Sequence, residues 1–291
     1  MRLHFTKMHG AGNDFVIFDA RQARPADHCE ALNPDAVSAG FFRAVADRRE
    51  GIGCDQVLVL QDAGNDDAVA RYRVFNADGG EVQQCGNGAR CLARYVADTG
   101  TVANEFDLHS VGGVVSARVA AAGIDNDDTR VAVSLGVPDF EPKALPLLAE
   151  QREPQYAAEV NSDVWRFGAV SMGNPHAVLM VDDPATAPVT EVGSAFNNNP
   201  MFPEGVNVGF ARVDASGALS LRVFERGVGE TRACGTGAAA AAAVAIDAGL
   251  AETEVTVKQS GGQLVVSWPS PGALLWLAGP AVRVFEGFLD V

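Results

Sequence analysis

The sequence predicts a mixed α/β protein made of two similar halves, and two observations carry that prediction. One stretch is written twice. The first copy runs Arg73-Val74-Phe75, Gly80-Glu81, Cys85-Gly86-Asn87-Gly88-Ala89, Asp98 and Gly100. The second runs Arg222-Val223-Phe224, Gly229-Glu230, Cys234-Gly235-Thr236-Gly237-Ala238, Asp247 and Gly249. Every matched pair is 149 residues apart, from Arg73 and Arg222 to Gly100 and Gly249, with no insertion. An unbroken register of that length indicates an internal duplication. The second observation is the nature of the repeated unit: an alternating apolar strand, a glycine turn, Cys-Gly-x-Gly, and a helix closed by glycine.

Each piece of that unit has a local reason. Arg73 to Phe75 continues an alternating apolar segment, which reads as a strand. Glycines permit the turn that follows. Ala89 to Ala97 and Ala238 to Ile246 are helical in composition and period, with Gly100 and Gly249 as stops. Each cysteine therefore sits at a helix N-terminus, where free N–H groups and the positive end of the helix dipole favour a thiolate and bind anions. Two such units suggest two halves whose helix starts face one cleft, with a thiol on each side of the ligand. That arrangement suits moving a proton from one face of a carbon to the other, while the N–H groups stabilise a carboxylate gaining enolate character. Two buried structural cysteines are the alternative, since free Cys is commonly buried.

Composition narrows the class. With 291 residues, 47 % of them hydrophobic, the chain can bury a large core in one big or two medium domains. The net charge of −15 argues against nucleic acid or an anionic membrane as partner. The N-terminus lacks an apolar signal core, and the longest apolar run, Ala238 to Ile246, is short of the ~20 residues that span a bilayer. A soluble, cytoplasmic protein is expected. Five cysteines (Cys29, Cys54, Cys85, Cys91 and Cys234) in a long chain without a signal peptide argue against a disulfide framework. No Cys-x-x-Cys occurs, and His4, His9, His28, His109 and His176 form no tight metal motif, so no metal is expected.

In chain order, residues 2–8 read as a strand, and Gly10-Ala11-Gly12-Asn13 as a tight loop presenting Asn13 or an ordinary hairpin turn, followed by the strand Phe15 to Phe18. Asn33-Pro34 starts a helix running to about Arg48, with Val37, Phe41, Phe42 and Val45 on one face. Gln56 opens the strand Val57 to Leu60, and Cys54 in the glycine turn before it, lacking a repeat partner, reads as structural. Asn76 follows the first repeated strand. Strands are expected near 104–109, 113–120 and 129–135, with 121–128 as the linker, so that the domains are 1–128 and 129–279. Segment 138–162 reads as a loop or surface excursion. Strand 164–171, Met172-Gly173-Asn174-Pro175-His176 and strand Ala177 to Val181 echo the start of the chain, and Asn207 before Val208 echoes Gln56 before Val57. His176 is either a satisfied structural histidine or a residue that tunes a thiol. Asn197-Asn198-Asn199-Pro200 is a turn cluster, and strands are expected near 206–213 and 218–224. Glu225-Arg226 then stands where the first copy has Asn76-Ala77, and Arg226 suits bidentate recognition of a carboxylate. Strands near 253–258, 263–268, 273–278 and 281–288 finish the chain.

Gly10 to Phe15, Asn76-Ala77-Asp78-Gly79, Cys85 to Arg90, Met172 to His176, Glu225 to Thr231 and Ala233 to Gly237 resemble, as a set and in order, the diaminopimelate epimerase family. The resemblance covers nearly the whole chain and is weakest over 138–162. It implies two similar α/β domains, each a β-barrel-like sheet around a central helix, with strand 280–291 returning to the first and the active site in the cleft between them. It implies interconversion of LL- and meso-2,6-diaminopimelate on the lysine and peptidoglycan route, without a cofactor, by a homodimer. Cys85 and Cys234 would be the paired base and acid. Asn13, Gln56, Asn76, Gly86, Asn87, Asn174, Asn207, Glu225, Arg226, Gly235 and Thr236 would contact substrate, and His176 and Glu225 would tune the thiols. The scarcity of lysines (Lys7, Lys143 and Lys258) agrees with unaided carbanion chemistry rather than a pyridoxal Schiff base. Proline or hydroxyproline racemases, thiol–disulfide oxidoreductases and a non-catalytic amino-acid binder are the competing classes. Asn76, Asn207 and Arg226 favour a substrate with a second charged end over the racemases. The amide-rich motifs weigh against redox chemistry, and the two intact cysteines against a mere binder.

Overall fold

In the computed structural model, which describes residues 2–21, 29–64, 67–100, 102–119 and 131–291, the chain divides into two units. Met1–Val133 with Ala278–Val291 form the first and Ser134–Leu277 the second. The expected linker at 121–128, the boundary between 128 and 129, and His28 lie outside the described residues.

The first unit opens with a hairpin. Strand β1 (Arg2–Gly10) pairs antiparallel with β2 (Asn13–Asp19), and Gly10 faces Asn13 across the two-residue turn Ala11-Gly12. Both turn residues have positive φ, 53° and 84°, the two-residue hairpin geometry that matches strand twist. Asn13 therefore begins a strand instead of sitting in a loop. Helix α1 (Ala39–Ala46) follows, then β3 (Gln56–Gln61), parallel to β2, and β4 (Ala70–Asn76), antiparallel to β3. Short β5 (Glu81–Val82) pairs back on β4 and leads into α2 (Gly86–Thr99). Strand β6 (Glu105–Ser110) lies parallel to β4, β7 (Gly113–Val119) antiparallel to β6, and β8 (Val131–Ser134) antiparallel to β7.

The second unit repeats this order of pairings. Its strands are β9 (Tyr156–Val160), β10 (Asp163–Ser171), β11 (Pro175–Met180), β12 (Asn207–Val213), β13 (Leu219–Glu225), β14 (Gly229–Thr231), β15 (Glu254–Gln259), β16 (Gly262–Ser267) and β17 (Trp276–Gly279). Its helices are α3 (Val189–Asn197) and α4 (Gly235–Asp247). Strand β11 is antiparallel to β10, β12 parallel to β11, β13 antiparallel to β12, β14 antiparallel to β13, β15 parallel to β13 and β16 antiparallel to β15. Last comes β18 (Val282–Asp290), antiparallel to β1 with Arg2 opposite Asp290.

The central strands β2, β3, β11 and β12 are buried on both faces, so their middles read as continuous apolar runs. In β2 and β3, Val16, Phe18, Val57 and Val59 pack toward α1, where Phe42 stacks on Phe75 at 3.7 Å. The alternate residues Phe15 and Leu58 meet Gly88 of α2. In the second unit Phe167, Leu179, Val208 and Phe210 pack toward Val189, Val192 and Phe196 of α3. On the other side α4 is buried all round from Ala238 to Ala245, and the alanines admit strands so closely that a Cβ on Gly168 would lie 2.5 Å from Val244.

Several expectations are corrected. Helix α1 spans Ala39–Ala46, not 34–48: Asn33 accepts the Asp35 N–H in a turn of its own, and Asp47 accepts the Arg49 and Glu50 N–H groups, turning the chain out. Segment 138–162 is not an excursion, because Leu145, Leu147, Tyr156, Ala158 and Val160 are buried in the second core and β9 pairs with β10. Helix α3 has no sequence-based counterpart, although Val189, Val192, Gly193 and Phe196 have helical spacing and are its buried residues. The two helix stops also differ. Gly249 has φ 69°, and the N–H groups of Gly249 and Leu250 close on the Ile246 and Ala245 carbonyls, a Schellman end. Gly100 is extended at φ −138°, and Thr99 Oγ1 takes the Tyr95 carbonyl at that end instead.

Candidate active site

Both cysteines cap their helices in the same way. Cys85 precedes α2 at φ −140°, ψ 114°, and Cys234 precedes α4 at φ −125°, ψ 116°. The extended backbone turns each sulfur back over the first helical turn. Cys85 Sγ accepts the Gly88 N–H at 3.5 Å and Cys234 Sγ the Gly237 N–H at 3.3 Å. Gly86 and Gly235 are the first residues of the two helices. The turns into the helices are held by a duplicated ion pair, in which Arg73 grips Glu81 and Arg222 grips Glu230 with two N–H groups each.

In the first unit the expected residues gather at the ends of β2, β3 and β4. Gln56 faces Asn76 in the ladder and donates from Nε2 to Asn76 Oδ1 at 2.8 Å. Gln56 Oε1 is buried without a partner among the described residues. The Cys85 thiol lies 3.9 Å from Asn13 Oδ1, which also receives Asn87 Nδ2 at 3.5 Å. Asn13 Nδ2 donates to Asp55 at 2.7 Å. Behind Asn13, Lys7 and Arg48 pair with Asp14, and Arg48 also with Asp55. Burial works to raise the Asp14 carboxyl, but its bonds to Arg48 and Lys7 outweigh that and hold it well below the usual range.

In the second unit, His176 stands opposite Asn207 in the ladder, the position that Phe15 holds opposite Gln56. Asn174 Oδ1 lies 2.9 Å from His176 Nε2. Asn207 donates to Pro175 O and accepts the Arg226 N–H, both at 2.9 Å. Arg226 is exposed, and its Nη1 donates to Glu204 O at 2.9 Å. Thr236 Oγ1 lies 3.5 Å from the Cys234 sulfur. Burial, reinforced by the Glu225 carboxylate bonded to it, pushes the Cys234 thiol well above its usual range, and Thr236 and the Gly237 N–H only partly offset this. Burial, with Arg226 adding to it, drops His176 to about 3. His176 is therefore a neutral imidazole bonded to Asn174, and Glu225 is bonded to the Cys234 thiol.

The other two buried cysteines are poor nucleophiles. Burial raises Cys54 to about 11 and Cys91 to about 12. Sequence reasoning passed over four supporting residues. Asp55 orients Asn13, and Thr231 donates to Glu225 at 2.5 Å. Gln259 accepts the Cys234 N–H at 2.9 Å, and Arg90 donates to Asn87 at 2.7 Å. Thr231 and Arg90 lie within the motif segments. Gln259 is far from them in sequence and carried no signal.

The family model described as diaminopimelate epimerase matches residues 5–140 and 168–284. This chain belongs to that family. It is 45 % identical to the diaminopimelate epimerase of Azoarcus sp. (strain BH72), with all of both chains covered. It is 47 % identical to that of Xanthomonas axonopodis pv. citri (strain 306), over 98 % of this chain and 96 % of the relative. Among solved structures, a probable proline racemase from Agrobacterium radiobacter K84 superposes with TM-score 0.68 at 18 % identity, over 99 % of this chain and 92 % of that one. A PhzF-family phenazine biosynthesis protein from Bacillus anthracis superposes with TM-score 0.67 at 16 % identity, both chains being fully covered. Those structures share the fold. The diaminopimelate epimerase family model leaves out 141–167, the stretch containing β9, so family likeness is weakest where the second core adds its outer strand.

Proposed function

We propose that this epimerase interconverts LL- and meso-2,6-diaminopimelate, for lysine and peptidoglycan precursors, using Cys85 and Cys234 as paired base and acid and no cofactor. The observation that carries the reading is the duplicated helix-capping cysteine in a chain of this family. A thiolate takes the α-proton as the Cα–H bond breaks, and the electron pair passes into the carboxylate as an enolate. The opposing thiol then donates its proton to the other face of the carbon and is left as the thiolate, so the proton count is unchanged and the centre inverted. Burial and Glu225 favour the thiol form of Cys234, which suits it to the role of acid. The N–H groups at Gly86-Asn87 and Gly235-Thr236 hold the reacting carboxylate. Gln56 Oε1, a buried acceptor, suits an ammonium group, and the exposed guanidinium of Arg226 suits a carboxylate at the substrate's far end. Asn13, Asn76, Asn174 and Asn207 complete a neutral amide lining.

The enzyme acts in the cytoplasm as a homodimer, with no nucleic-acid or membrane partner. Among the described residues no helix is long and apolar enough to cross a membrane. Strand β18 exposes the apolar side chains Val284, Phe285 and Phe288, which suit contact with a second copy. The test of the reaction is ¹H NMR of LL-diaminopimelate with reduced enzyme in D₂O, with proline in parallel. Conversion to the meso isomer with deuterium at the inverted α-carbon, and silence with proline, is the expected result. Exchange with proline alone would move the protein to the racemase class.

A further inference from the structure

Arg90 is fully buried in α2, and only its Nη2, bonded to Asn87 Oδ1 at 2.7 Å, finds a partner; Nε and Nη1 have none among the described residues. A buried guanidinium without a carboxylate is expensive to keep. The duplicated half has no such group, since Ala239 stands 149 residues on. Arg90 therefore serves something that the first half needs and the second does not.

That need is amide orientation. A side-chain amide has one accepting and one donating end, and nothing in its shape decides which way it points. Here the order is set from outside. Arg90 can only donate, so Asn87 must offer it Oδ1, which turns Asn87 Nδ2 toward Asn13. At the other end the Asp55 carboxylate can only accept, so Asn13 must offer it Nδ2 and present Oδ1 inward. The result is a directed chain, Arg90 to Asn87 to Asn13 to Asp55, with the Cys85 thiol hanging on Asn13 Oδ1 at 3.9 Å. Arg48 anchors Asp55 from outside at 2.7 Å. Arg90 Nη2 lies beneath Gly10, 3.7 Å from where a Cβ would stand, so the guanidinium also sits under the hairpin that carries Asn13. In the second half Thr236 replaces Asn87 and touches its cysteine directly, and a rotatable hydroxyl needs no such anchor.

We infer that Arg90 is a positioning residue for the Cys85 half of the reaction: it fixes which ends of the Asn87 and Asn13 amides face the thiol and the substrate. This rests on the diaminopimelate reading only for its activity test. Burial lowers the guanidinium to about 10 against the opposing pull of Cys91 and Cys85, so it stays a donor-only cation at neutral pH.

The test compares Arg90→Met, which keeps the volume and loses the donor, with Arg90→Lys, which keeps a donor. Stability and activity should rank in opposite orders. The Met variant loses an unpaired buried charge and should melt at or above the Lys variant. Its kcat/KM should nevertheless fall roughly ten- to hundredfold through misplaced groups, while the Lys variant recovers most of the activity. Activity that follows melting temperature, or full activity in Arg90→Met, would overturn the role. Should Arg90→Met fail to fold, Asn87→Asp keeps the bond to Arg90 and loses only the donor to Asn13, and a fully active Asn87→Asp would overturn it equally. A second readout needs no substrate. In ¹⁵N spectra the Asn87 and Asn13 side-chain amide signals should move or broaden in Arg90→Met and return in Arg90→Lys, with Asn174 and Asn207 unchanged. Unmoved Asn87 and Asn13 signals would refute the positioning role, whereas a wild type inactive on diaminopimelate would refute only the substrate.

Discussion

At the residue scale, the two cysteines have like backbones and unlike surroundings. Cys234 is 5 % exposed and bonded to Glu225, whereas Cys85 is half-buried and faces amides. Cys85→Ser and Cys234→Ser should each reduce turnover of LL-diaminopimelate by roughly 10²–10⁴-fold, the worth of a positioned acid or base, as measured by the rate of meso isomer formation. Cys54 supplies a stability prediction with a definite sign. Its folded pKa, raised by burial to about 11, exceeds the unfolded thiol value of about 8.5. The folded state therefore holds the proton longer, and this contribution is intact below about pH 8.5 and lost as pH rises toward 11, by up to about 1.4 kcal/mol per pH unit. Urea midpoints from pH 7 to above pH 10 should fall more steeply for the wild type than for Cys54→Ala.

At the element scale, the two repeated helices end by different physics. Gly249 lies in the left-handed region with open space around a Cβ, so Gly249→Ala carries only backbone strain, about 1 kcal/mol. Gly100 is extended, a conformation any residue adopts, so Gly100→Ala should be milder in the same denaturant titration. The repeated motif exposed the strand–turn–helix unit because its residues work locally: glycines in turns, a cysteine cap, apolar periods. It left α3 and β9 unread. Their apolar residues are interleaved with Gly193, Ala195, Ala157 and Glu159, and their order depends on packing against Phe167, Phe196 and Phe202 in one core.

At the scale of the whole molecule, the exposed Val284, Phe285 and Phe288 of β18 should lie in the proposed dimer contact. Phe288→Glu together with Val284→Glu should shift the enzyme toward monomer in sedimentation or light scattering; an unchanged dimer would place the contact elsewhere. By itself the sequence determined the duplication, the position of both cysteines at helix starts and the family, since each rests on short-range chemistry or on residues standing at fixed spacing. Tertiary structure alone decided the electrostatics and the partners: that His176 is neutral and bonds Asn174, that Glu225 reaches Cys234, that Gln259 holds the Cys234 backbone, and that Arg90 is sealed in behind Asn87. The physical reason is that burial and hydrogen-bond direction are set by groups distant in the chain, which no local pattern of residues encodes.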